Sequence, residues 1–127
     1  MTISLLREQK VLKFGSPYFT KRCPAIPVGG FLAYSLAGLD SAAPKYEPLD
    51  FLEVTNMDTV SSISVRLDDG DSFIVEPCVK RSISQKPWRR LRLTNLGAAE
   101  IAANKISLLA QREPITQDTY IRRFKLR

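Results

Sequence analysis

The chain contains no histidine. That removes the commonest general base and the commonest zinc ligand together, so a hydrolase triad or an ordinary zinc site is nearly excluded. Cysteine is scarce as well. Cys23 and Cys78 stand far apart with no metal-ligand spacing, and two buried free thiols is a better reading than a disulfide between them. The most apolar run, IPVGGFLAYSLAG from Ile26 to Gly38, is too short to span a bilayer and is broken by Pro27, Gly29 and Gly30. Buried core or interface is expected there, not membrane contact. Arg7, Glu8 and Lys10 interrupt the apolar start, so no signal peptide is expected. Glu53, Glu76 and Glu100 are scattered, and no serine or cysteine sits in a nucleophile context. No enzyme, no catalytic residue and no cofactor are therefore expected.

What is present is an alternation. From Phe51 to Leu93 apolar residues fall on every second position: Leu52 and Val54, then Ile63, Val65 and Leu67, then Phe73 and Val75, then Leu91 and Leu93. Strand side chains point alternately to opposite faces, so a period of two is what a half-buried antiparallel sheet requires. Glu53, Ser64, Arg66, Arg90 and Arg92 then face water. DDGDS, between Leu67 and Phe73, is a glycine-bearing turn between two alternating runs and predicts a hairpin. Its three aspartates lack the spacing and terminal glutamate of an EF-hand loop, and turn chemistry accounts for them.

A second pattern is an echo. Leu52-Glu53-Val54-Thr55-Asn56-Met57 resembles Leu91-Arg92-Leu93-Thr94-Asn95-Leu96, and ISVRL at 63–67 resembles ISLL at 106–109. In each copy a strand ends at Thr-Asn, where the asparagine side chain can bond the turning backbone, and a second strand follows. Residues 98–105 suit a helix by their alanines, and the echo favours strand.

With 127 residues, 44% apolar and 25% charged, the chain is one globular domain. Its expected parts are 1–50, a strand near Ile3–Leu6 plus a proline-rich arm, then 51–111, the sandwich core, then 112–127, a basic tail. From Ser16 to Pro48 the chain is broken by Pro17, Pro24, Pro27, Gly29, Gly30, Gly38, Pro44 and Pro48, yet it carries many large apolar side chains. A strand is expected near Phe31–Leu36. The rest of 16–48, like 113–127, is expected to reach out and pack on neighbouring subunits, the alternative being that 16–48 folds back over its own sandwich.

Charge is segregated. Residues 40–76 carry nine acids against Lys45 and Arg66, whereas 79–92 hold six bases and no acid. The candidate interface or polyanion-binding residues are Lys80, Arg81, Lys86, Trp88, Arg89, Arg90 and Arg92, basic groups around the only tryptophan. Such a cluster binds single-stranded nucleic acid when the ring is a stacking platform. It is otherwise a solvated sheet face, with Trp88 anchoring a loop in the core.

These features give an all-β domain, a small antiparallel β-sandwich or jelly-roll-like domain with extended N-terminal and C-terminal arms. In the strand pairs ending in Thr-Asn over residues 51–109, and in its arms, the chain resembles the virion structural β-sandwich modules of bacteriophages: decoration, minor capsid and spike-base proteins. The resemblance implies a non-enzymatic structural protein whose partners are itself and other proteins of an assembly, located in a virion or otherwise in the cytoplasm. Nucleic-acid binding through residues 80–92, and carbohydrate or receptor binding by the sandwich, are the alternative functions.

Overall fold

The computed structural model describes residues 15–113. Eight strands form two four-stranded antiparallel sheets. They are β1 (Phe19–Arg22), β2 (Phe31–Ser35), β3 (Leu49–Asn56), β4 (Ile63–Leu67), β5 (Ser72–Val75), β6 (Val79–Trp88), β7 (Arg90–Asn95) and β8 (Ile106–Gln111). A single helical turn, α1 (Leu36–Leu39), and a 3-10 turn (Ala43–Tyr46) connect β2 to β3. The first sheet runs β1-β8-β3-β6 and the second β2-β7-β4-β5. The chain changes sheet at every connection except the β4–β5 hairpin, which is the jelly-roll arrangement.

The period of two is realised where it was expected. Leu52, Val54, Ile63, Val65, Leu67, Val75, Leu91 and Leu93 are buried between the sheets, and Phe73 packs half-buried against them. Each fully buried aliphatic side chain contributes about 1.5–3 kcal/mol. The DDGDS turn is a hairpin in which Ile63 pairs with Val75 and Val65 with Phe73. Asp68 takes a left-handed φ of 53° at its start, and its Oδ1 accepts from the backbone N–H groups of Arg89 and Arg90. The carboxylate is thereby a strut to the neighbouring strand.

The echo is an internal two-fold. Its four strands are the centres of the two sheets, β3 beside β8 and β7 beside β4. Asn56 pairs with Ile106 as Asn95 pairs with Ile63, and Val54 pairs with Leu108 as Leu93 pairs with Val65. Both asparagines are buried at strand ends and do the same work. Asn56 donates to the carbonyls of Ser61 and Val75 and accepts from Asp58 N–H. Asn95 donates to the carbonyls of Ile26, Pro27 and Ala99 and accepts from Gly97 N–H. Residues 98–105 are neither helix nor full strand. They form turns, with Ile101 bridging to Ile26.

The expected arm over 16–48 is corrected within the described residues. β1 pairs with β8 and β2 with β7, so this segment supplies an edge strand to each sheet. Phe19, Cys23, Ile26, Leu36, Leu39 and Ala43 lie in the same core as the central strands. The prolines and glycines shape its turns and leave the pairing intact: Gly29, at a φ of 70°, completes the bend that returns Gly30 N–H to Pro27 O. The strand expected near Ile3–Leu6, and the tail beyond Glu113, lie outside the described residues.

Asn95 ties three loop carbonyls together with one carboxamide, and alanine removes those bonds, leaving each carbonyl its one other donor and the Gly97 N–H without its acceptor. Asn95→Ala is expected to cost about 2–4 kcal/mol in chemical denaturation. The exposed Glu100→Ala change should stay within about 0.5 kcal/mol of the parent.

Candidate polyanion interface

The basic stretch 79–92 is split by the fold. Lys80, Arg81 and Lys86 lie on β6, one of the two edge strands of the first sheet, whereas Arg90 and Arg92 lie on β7, inside the second. Arg89 sits on the crossing between them. Trp88 is 1% exposed and belongs to the core, so it offers no stacking face; its indole N–H has no acceptor among the described residues. The cluster of basic groups around a tryptophan therefore does not assemble into one groove. Its charge meets the acidic segment within the same chain: Lys80 pairs with Glu53 at 3.5 Å and Arg89 with Glu47 at 3.6 Å. These exposed pairs each contribute at most about 1 kcal/mol. Arg81 closes the open side of the sandwich, donating to Ile74 O at 2.7 Å and standing 5.5 Å from the Phe73 ring centroid.

Two outer faces remain. On the second sheet Arg92 stacks 3.8 Å from the centroid of Phe31, an exposed ring on the neighbouring strand. Arg90, Asp68 and Asp69 complete a shallow depression of about 340 Å³ beside them. Its two carboxylates offset the two guanidinium groups. On the first sheet a groove of about 390 Å³ is lined by Thr20 and Arg22 of β1, Glu53 and Thr55 of β3, and Ser107 and Leu109 of β8. Neither groove was legible in sequence, because each joins strands 30 to 90 residues apart. Only the outward phase of β3 and β7, with Glu53, Arg90 and Arg92, carried a signal.

Among the described residues no group of three His, Cys, Asp or Glu side chains is placed to hold a metal ion. No helix of the described residues is long and apolar enough to cross a membrane. Cys23 is buried as expected, but Cys78 is exposed: it follows Pro77 in the β5–β6 turn at a φ of 60°. Both thiols are free.

The sequence matches no protein-family model and no curated protein. Among solved structures it is similar to the coat protein of Tobacco streak virus. The sequence identity is 10% and the TM-score 0.42, covering 80% of this chain and 88% of that one.

Among the described residues, the one titratable cluster with a marked shift joins the two sheets at the β1–β2 side. Burial pushes the Tyr34 phenol up to about 12, and the adjoining Cys23 adds to this through its charge and a hydrogen bond. Burial likewise raises the Cys23 thiol, opposed by its hydrogen bond to Tyr34 and by the Lys21 charge. The Lys21 ammonium lies 5.3 Å from the Tyr34 ring centroid, so β1 and β2 are clasped through these side chains. The folded state favours the neutral phenol. Its contribution is therefore complete below about pH 10, where an unfolded tyrosine titrates, and is lost as pH rises through about 12. Ultraviolet titration should show a late phenolate step that Tyr34→Phe abolishes. The same variant should flatten the fall of stability between those two pH values.

Proposed function

We propose that the protein is a non-enzymatic structural subunit that packs against further copies of itself, as a capsid-associated component of a virion. The observation that carries this reading lies at one end of the sandwich. The strand registers bring the 23–30, 57–62, 76–78 and 96–105 connections out together at that end. There Val28, Met57, Val60 and Leu96 are 57%, 44%, 71% and 51% exposed. Their loops are pinned from within by Asn56 and Asn95, so the side chains cannot turn inward without breaking buried hydrogen bonds. Apolar groups gathered on a monomer surface mark an interaction site.

A second copy is the occupant that fits. An end surface repeated around a symmetry axis closes on itself, and closure limits assembly to a defined size. The ion pairs already formed within the chain leave the contact to apolar packing, with other structural proteins of the assembly as further partners. The jelly roll is an architecture of viral capsid and lectin domains, and fold alone does not decide between them. A glycan-binding sandwich would be expected to present several aromatic faces. Here the exposed large aromatics of the described residues are Tyr18 and Phe31, and Arg92 covers one face of Phe31.

Sedimentation or light scattering of the purified protein is expected to give a mass that is a multiple of the 14.3 kDa chain. The double variant Val60→Asp, Leu96→Asp should lower that mass toward the monomer, with stability changed by no more than about 1 kcal/mol because both sites are exposed. A wild-type protein that stays monomeric at high concentration overturns the proposal.

A further inference from the structure

We propose that the outer face of the first sheet is an oxyanion-binding groove, taking a phosphate or sulfate group between Arg22 and Lys80. The placement follows from register. Arg22 is opposite Ser107, Ser107 opposite Thr55, and Thr55 opposite Lys80. A single row crossing all four strands therefore reads cation, hydroxyl, hydroxyl, cation. The next row reads Thr20, Leu109, Glu53, Ser82. Directly opposed residues on adjacent strands point to the same side of a sheet, and the inward phase here is Phe19, Ala110 and Leu52. All eight side chains of the two rows consequently face outward together.

Adjacent strands lie about 4.8 Å apart, so the two cations stand about 14 Å apart at their backbones. That is a span which two long side chains can close over a small ion resting on the hydroxyls between them. The groove volume of about 390 Å³ falls at the lower end of the range of roughly 300–1,000 Å³ typical of ligand sites.

The donor set selects the ligand. Thr20, Thr55 and Ser107 offer hydroxyl donors, and Arg22 offers the planar fork that matches phosphate or sulfate oxygens. Among the described residues Glu53 is the only carboxylate lining the groove, and it is held by Lys80 at 3.5 Å. Lys80 can swing from that exposed pair to a doubly charged guest at little cost, since the pair itself is weak. Lys21, though beside the groove, has its ammonium against Tyr34 of the other sheet and takes no part. A neutral sugar would leave the Arg22 charge unmatched. A cation would meet two like charges.

The experiment is an amide NMR titration of the full chain with inorganic phosphate, and in a second arm with an oligothymidylate. The expected result is saturable movement of the Arg22, Thr55, Ser107 and Lys80 signals, weakened about tenfold or more in Arg22→Gln and reduced in Thr55→Val. Arg90→Gln, on the opposite sheet, should leave it unchanged. Tighter binding of the oligomer than of the free ion identifies a polymer phosphate as the source, and the reverse identifies the free ion. Absence of movement in both arms overturns the proposal, and so does equal movement in Arg22→Gln. Because the Val60 and Leu96 end is untouched by these variants, their solution mass reports on self-assembly separately.

Discussion

Two buried carboxamides govern this architecture. A sandwich in which the chain passes from sheet to sheet at nearly every turn must end its strands abruptly, and each abrupt end strands backbone carbonyls away from water. Asn56 and Asn95 settle that debt from inside: each accepts from the second residue beyond it and donates to carbonyls of the loops that leave the sheet. Because each sits where β3 or β7 gives out, they fix the point of crossing, and with it the register of all four central strands. Gly97 shows how close the fit is. A β-carbon there would overlap the Ser61 side chain, whose hydroxyl donates to Ala99 O.

The centre of the fold was readable because its physics is local. Alternation placed Leu52, Val54, Ile63, Val65, Leu91 and Leu93 inside, and the Thr-Asn echo marked both crossings. The edges were readable only in part: the strand expected near Phe31–Leu36 is β2, Phe31–Ser35, but its place in the sheet, and β1 altogether, were not legible. β1 and β2 are four and five residues long, set among prolines, and their place is set by partners 55 to 91 residues away, β8 and β7. In Phe31–Ser35 the alternation is shallow, with Phe31, Ala33 and Ser35 exposed and Leu32 and Tyr34 only half-buried, and the large apolar Phe31 ring lies on the outer side. The basic stretch misled in another way. Its residues are contiguous in sequence, yet the chain changes sheet at Arg89, so charges that look like one patch are distributed over two.

Charge segregation along the chain also has a plain meaning once the fold is known. The acidic 40–76 segment and the basic 79–92 segment are adjacent strands and turns, and they meet as Glu53 with Lys80, Glu47 with Arg89 and Asp68 with the amides of Arg89 and Arg90. Opposite charge on neighbouring strands favours the correct pairing over its alternatives more than it adds to stability. The first sheet keeps hydroxyls at the middle of its outer face and cations at the two ends of one row, Arg22 and Lys80.

The position of β8 carries a consequence for how the protein is made. It is the last described strand, yet it lies between β1 and β3 and is the only link joining β1 to its sheet. During synthesis both neighbours leave the ribosome long before it does. Until residues 106–111 emerge, β1 has no partner and one edge of β3 stays open. Closure of the first sheet is thus a single late event that depends on contacts far apart in sequence, a topology that folds slowly. Nascent chains held close together on one messenger pass through that interval with matching open edges, and the time spent there sets their exposure to exchange of β8 between neighbours.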